Sequence, residues 1–142
     1  MARYEHLPIY KIAMELAVYL QTVVKNFSRY NKYSVGENLR SLSRKTVQLI
    51  IRANSSASRV QALAELVETC EMLKTTIVFA KETKSFSGFN SFQHACGLAV
   101  ILCKQSEGWL QSSKKSLNHQ PSAKTRADER AQEHCAPSPP LK

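Results

Sequence analysis

Basic side chains are concentrated in one segment of this 142-residue chain, and their spacing suits the binding of phosphate groups. Residues 25–59 contain a single acid, Glu37, and carry a net charge of +7 out of a total of +9. An ordinary exposed face mixes both signs, so this bias favours an anionic partner, with nucleic acid as the first candidate. The eight basic residues assigned to this predicted binding site are Lys25, Arg29, Lys32, Arg40, Arg44, Lys45, Arg52 and Arg59.

Part of this set has the spacing of a helical stripe. Arg40, Arg44 and Arg52 recur at multiples of four residues, and each four-residue step turns an α-helix by about 40°. With Lys45 they cover an outward arc of roughly 140° on one helix. A guanidinium group holds two phosphate oxygens through parallel hydrogen bonds, which an ammonium group cannot do. The spacing therefore predicts a stripe that grips a phosphate backbone.

Two tyrosines lie among these basic residues, at positions 30 and 33. Aromatic rings next to cations are typical of surfaces on which unpaired bases stack. The same rings also suit a structural role, in which they pack the first connection against the following helix. For Tyr33 we favour the structural role.

Residues that would support catalysis are few and poorly placed. The only aspartate is Asp128, near the end of the chain, which argues against paired-metal nuclease or polymerase sites and against Ser-His-Asp triads. The four histidines are scattered, and Glu65, Glu68 and Glu71 have the spacing of a solvated or ion-pairing helix face. We therefore expect no enzymatic activity, no metal and no cofactor.

The cysteines and the apolar runs indicate a compartment. The four cysteines include no Cys-x-x-Cys pair, so their spacing favours neither a zinc site nor a redox motif. Residues 1–8 lack the apolar run of a signal peptide, and the longest apolar run, 98–103, is too short to span a membrane. We predict reduced thiols and a cytoplasmic protein without a membrane partner.

Four amphipathic helices are predicted to position these residues. Apolar residues follow the 3.6-residue period over about Pro8–Phe27, Val35–Ala53, Ala57–Thr83 and Ser91–Ser112, and no segment alternates as a strand does. Their short connections predict an all-α fold, an up-down-up-down antiparallel four-helix bundle with a disordered C-terminal tail.

Capping residues and one apolar patch add detail to this bundle. Ser34 and Glu37 fit the Ser-x-x-Glu capping box at the start of the second helix, and Ser55 or Ser56 is expected to cap the third. Met14 and Val18 fall on the outer side of the first helix, opposite its apolar face. An outward apolar patch is unusual for a monomer, so these two residues are predicted to form an oligomer interface.

Composition changes after Ser113. Residues 114–142 contain two leucines and no isoleucine, valine or aromatic residue, too little apolar surface to order a core. We divide the chain into an N-terminal extension (1–7), the four-helix bundle (8–113) and a flexible basic tail (114–142).

Four short motifs resemble those of a known superfamily when they are taken in order along the chain. They are LPIY at 7–10, FSRYNKYSVGENLR at 27–40, AKETKSF at 80–86 and EGWLQS at 107–112. Together they resemble the superfamily of four-helix-bundle proteins that includes ribosomal-RNA intervening-sequence proteins and the accessory variability determinants of diversity-generating retroelements. The resemblance covers about Tyr4–Lys115.

The chain departs from the superfamily pattern at two places, and the first of them indicates a branch. The intervening-sequence branch closes its second helix with a proline-containing pattern, whereas Val47–Asn54 has no proline and resembles the retroelement accessory branch. The usual proline after the first helix is replaced by Ser28, which affects the shape of the first connection.

The resemblance implies a homopentamer that binds the retroelement's reverse transcriptase together with RNA or cDNA during mutagenic reverse transcription. The residues themselves supply the basic stripe, the lack of catalytic groups and the outward patch. Two alternatives remain: an RNA- or ribosome-associated bundle without a polymerase partner, and a structural oligomerisation protein whose basic stripe meets an acidic face such as Glu65, Glu68 and Glu71 of a neighbouring copy.

Overall fold

The computed structural model describes residues 4–55 and 57–119, which form α-helices joined by short turns. A 3-10 turn at Tyr4–His6 precedes them, and no strand occurs in these ranges. The helices are α1 (Pro8–Lys25), α2 (Arg29–Lys32), α3 (Val35–Ser55), α4 (Arg59–Glu82) and α5 (Phe89–His119). The four long helices are those predicted from the apolar period, and the all-α class is confirmed.

Consecutive long helices run antiparallel, as specific contacts show. Near the end of α3, Arg52 meets Glu65, which lies early in α4. The ammonium group of Lys81 at the end of α4 lies 5.1 Å from the ring centroid of Phe92 at the start of α5. The ring of Tyr19 on α1 meets that of His94 on α5 with 4.5 Å between centroids, which closes the four-helix arrangement. The up-down-up-down bundle is confirmed.

The apolar faces of the four long helices form one core. Burying a leucine or isoleucine side chain contributes about 1.5–3 kcal/mol, so this core is the main stabilising term of the bundle. Its largest fully buried leucine and isoleucine side chains are Leu16, Leu20, Leu39, Ile50, Leu63, Leu66, Leu73, Ile77 and Leu102.

The chain divides into two compact units, Met1–Gln111 and Ser112–Lys142. The described residues of the second unit are the end of α5, which continues to His119 rather than ending near Ser112 as predicted. The helix continues because Lys114, Lys115 and Leu117 are good helix formers, although none of them is buried. The next residue in the sequence that strongly favours a helix end is Pro121. The remainder of the predicted disordered tail, 120–142, lies outside the described residues.

The first connection contains the one-turn helix α2, which begins directly after Ser28, the position where the resemblance led us to expect proline. The hydroxyl of Ser28 accepts a hydrogen bond from the backbone N–H of Asn31 at 3.4 Å, which is the N-cap geometry. Phe27, just before it, is buried and meets the ring of Phe86 edge-on at 5.5 Å. A capping serine therefore starts this turn in place of proline.

Both predicted caps were wrong. The Ser34 hydroxyl donates to the carbonyl oxygen of Tyr30 at 2.8 Å, and Glu37 pairs with arginines of its own helix, so the capping box does not form. The N-cap position of α4 is Ser58, whereas Ser55 is the last residue of α3 and Ser56 lies outside the described residues. Serines at positions 55, 56 and 58 could each occupy the N-cap position, and the sequence pattern alone does not distinguish them.

Gly36 permits the close approach of α1 and α3. A Cβ at this position would lie 2.7 Å from Cγ1 of buried Val24 and 3.0 Å from the carbonyl oxygen of Asn31. We expect Gly36→Ala to destabilise the fold by about 1–3 kcal/mol, because a stiff side chain and a backbone atom must both move. Urea unfolding monitored by circular dichroism measures this change.

A matched control is Gly97→Ala on α5, where an added Cβ meets nothing within 4 Å. Alanine is the better helix former, so this variant is expected to gain about 0.5–1 kcal/mol. A gain at both positions would contradict the tight contact assigned to Gly36.

Candidate nucleic-acid interface

The eight predicted basic residues lie on α1, α2, α3 and the start of α4, and together they are called the basic face here. α3 carries four of them, and three of these four side chains are about half exposed: Arg44 at 58%, Lys45 at 49% and Arg52 at 53%. Lys25 and Arg29 are exposed at the end of α1 and on α2, and Lys32 is half-buried. Arg44, Lys45 and Arg52 are the exposed cations that α3 offers to a ligand.

Arg40 differs from its neighbours on the stripe. Its side chain is only 15% exposed, and its guanidinium group donates to Oε2 of Glu37 at 2.7 Å. Oε1 of the same carboxylate lies 3.9 Å from Arg44. Glu37 therefore holds Arg40 against the helix and leaves Arg44 more accessible.

Arg59 has a structural role. Its Nε donates to the carbonyl oxygen of Ala53 at 3.0 Å and its Nη2 to that of Asn54 at 3.4 Å. These carbonyl groups belong to the last turn of α3, where helices leave their carbonyl groups without internal partners. Arg59 thus terminates α3, and its charge also complements the negative end of that helix.

A second carboxylate enters the basic face from α4. Glu65 accepts a hydrogen bond of 2.6 Å from Arg52 and lies 3.5 Å from the ammonium group of Lys45. The hydrogen bond from Arg52 holds the pKa of the Glu65 carboxyl below its ordinary value, and Lys45 acts in the same direction. Glu65 therefore meets the stripe of its own chain. Its helical spacing alone did not place it there, because its position depends on the register between α3 and α4.

Glu65 competes with phosphate for Lys45 and Arg52, which leads to a prediction. Glu65→Gln is expected to tighten RNA binding by about two- to fivefold, because exposed ion pairs are weak and both cations are then free. Fluorescence anisotropy with a labelled RNA measures the change. The matched control is Glu68→Gln on the same helix, since Glu68 is exposed and forms no ion pair within the described residues. An equal gain from both variants would show that only net charge matters.

The two residues predicted for an oligomer interface are both exposed. Met14 is 37% and Val18 58% exposed, one turn apart on the outer side of α1. Their outward orientation agrees with the apolar pattern, and their contact with another subunit stays a prediction.

The two tyrosines of the first connection are also exposed, Tyr30 at 82% and Tyr33 at 70%. Tyr33 was predicted to pack against the following helix, and its exposure shows that this prediction is wrong. Their rings are available to a ligand.

Metal-ligating clusters and buried thiols are the remaining candidate sites for chemistry. No group of three or more His, Cys, Asp or Glu side chains converges within 4–55 and 57–119. Cys70 and Cys103 are buried, and Cys70 Sγ lies 3.4 Å from the hydroxyl of Ser106. The two thiols shift each other's pKa: the hydrogen bond with Cys103 lowers the pKa of Cys70, whereas the bond with Cys70 and burial raise the pKa of Cys103. In the described part of the chain, no helix has the length and apolar character needed to cross a membrane.

The described helices define a class of fold, the all-α four-helix bundle. The model of one family, described as bAvd-like, matches residues 9–113. The chain belongs to the bAvd-like family, in agreement with the resemblance seen in its motifs. No curated protein and no solved structure matches it.

Proposed function

We propose that this protein is a non-catalytic accessory subunit of a diversity-generating retroelement. It binds the reverse transcriptase and the template RNA or cDNA in the cytoplasm, and mutagenic reverse transcription requires it. Membership of the bAvd-like family supports the retroelement role. The observation that carries nucleic-acid binding is the row of exposed cations Arg44, Lys45 and Arg52 on α3.

The basic face suits a holding role. Its guanidinium groups offer paired donors to phosphate oxygens, and neither the face nor the rest of the described chain brings together a metal cluster. In this proposal the reverse transcriptase carries out the polymerase chemistry, while this subunit positions the nucleic acid. The pairing of Glu65 with cations of its own chain counts against the alternative in which that acidic face receives the stripe of a neighbouring copy.

Salt dependence tests the binding of nucleic acid. Each phosphate contact on a single strand contributes about 0.7 to the slope of log affinity against log salt, so the three exposed cations alone give a slope of about −2. Anisotropy titrations of the full chain at several salt concentrations measure that slope. No binding, or a slope near zero, would contradict the proposal.

The reverse transcriptase partnership requires a separate measurement. Co-expression of the full chain with the reverse transcriptase of a diversity-generating retroelement should yield a complex that survives affinity purification. Synthesis of cDNA on the template RNA should fall when this protein is omitted. RNA binding without retention of the polymerase would instead favour the alternative of an RNA-associated bundle.

A further inference from the structure

One end of the bundle carries an open, aromatic-lined cavity of about 550 Å³, where α2 and the start of α3 meet the end of α4. Tyr30, Tyr33 and Phe79 line it, and Phe79 is 57% exposed. These three aromatic rings expose apolar surface to solvent and contribute little to the core of the bundle. We call this site the aromatic cavity.

The aromatic cavity is contiguous with the basic face. Glu37 lines the cavity, and its carboxylate is bound to Arg40 at 2.7 Å and lies 3.9 Å from Arg44. Lys32 lies between two lining residues, Asn31 and Tyr33, on α2 and its C-cap. Through Glu37, whose carboxylate is paired with Arg40 and Arg44, the stripe on α3 therefore adjoins the rim of the cavity.

We propose that the aromatic cavity binds an unpaired nucleobase of a single-stranded nucleic acid whose phosphates lie on the basic face. This inference rests on the nucleic-acid binding proposed above. Cations that follow a backbone, combined with exposed aromatic rings, form the usual platform for single strands, because every base offers a face for stacking.

Polar groups in the cavity suit a base edge. The side-chain amides of Asn31 and Asn38 each provide donors and an acceptor next to the rings, and Asn38 is exposed. In a duplex both base faces are stacked and the pairing edges are occupied, so a duplex cannot enter the cavity. The site therefore discriminates unpaired strands from duplexes, which the stripe alone does not do.

The test uses the full chain and two labelled probes, a 12-nucleotide single-stranded RNA of mixed sequence and the same strand in a duplex. Tyr30→Ala/Tyr33→Ala is expected to weaken single-strand binding by about 5- to 150-fold, the loss of one stacked base, and to leave duplex binding unchanged. The slope of log affinity against log salt should stay constant, because no phosphate contact is removed.

Two further variants serve as controls. Tyr30→Phe/Tyr33→Phe keeps both rings and should bind within about twofold of the unaltered protein. Phe89→Ala removes a similarly exposed ring, 61% exposed and outside the cavity lining, and should have little effect.

The outcomes separate this inference from the function on which it rests. Failure of the unaltered protein to bind any RNA would overturn the proposed function itself. Equal losses on single strand and duplex, or a reduced salt slope, would overturn the aromatic cavity as a base site. A change in oligomer mass in the alanine variant, measured by light scattering, would assign these rings to contacts between copies and also overturn it.

Discussion

Replacing Arg44, Lys45 and Arg52 together with glutamate is expected to abolish RNA binding. These three side chains are 49–58% exposed on one side of α3, and none contributes to the core. A charge-assisted hydrogen bond to phosphate contributes roughly a factor of ten in affinity, so loss of three contacts weakens binding by about a thousandfold. Anisotropy titration at fixed salt measures this loss.

The fold should survive this triple substitution. Within residues 4–55 and 57–119, the ion pairs that it disrupts are exposed ones with Glu37 and Glu65, and pairs of that kind contribute little to stability. Far-ultraviolet circular dichroism should therefore show unchanged helicity. Arg40 and Arg59 are left out because one is largely covered and the other terminates α3, so their loss would confound binding with folding.

A matched variant separates position from net charge. Lys11, Lys74 and Lys104 lie on α1, α4 and α5, outside the basic face, and reversing all three changes the net charge by the same amount. This control is expected to keep most of its affinity, since long-range effects of exposed charges are screened at physiological salt. Equal losses from both triple variants would show that binding follows the overall charge, and the basic face would then have no special role.

The helices and the stripe could be predicted because they depend on local periodicity. Arg44, Lys45 and Arg52 share a face by helical geometry alone, whatever α3 packs against, and the structure leaves all three accessible. Met14 and Val18 are exposed for the same reason. The end of α5 was missed because exposed helix is sustained by propensity, which gives no apolar signal.

Contacts between helices could not be predicted, because a single sequence does not show the register in which two helices pack. Glu65 and Arg52 are thirteen residues apart in the sequence, and they meet because the turn between α3 and α4 fixes the register of the two helices. Phe79 of α4 lines the same cavity as Tyr30 and Tyr33 only because of how these helices pack. Glu37 is a different case, because its ion pairs could have been predicted. It lies three residues before Arg40 and seven before Arg44, which is the spacing of ion pairs along one helix face, whereas the capping-box pattern predicted another role.

The apolar patch on α1 bears on assembly. We propose that the protein forms a homo-oligomer, a pentamer according to the family resemblance, in which Met14 and Val18 are covered. In a closed ring of five, each interface joins two different surfaces, so this patch must meet another part of the neighbouring copy. Exposed apolar side chains on other helices, such as Met72 on α4 and Ile101 on α5, are candidates for the opposing surface.

Met14→Glu/Val18→Glu is therefore expected to convert the oligomer into monomers of 16.0 kDa. Two carboxylates brought into an apolar interface must be desolvated without partners, which opposes assembly. Size-exclusion chromatography with light scattering measures the mass, and circular dichroism checks that helicity is kept. Met14→Leu/Val18→Ile retains the apolar area and should remain assembled. An unchanged oligomer mass in the glutamate variant would place the interface elsewhere, and a monomeric unaltered protein would refute the assembly itself.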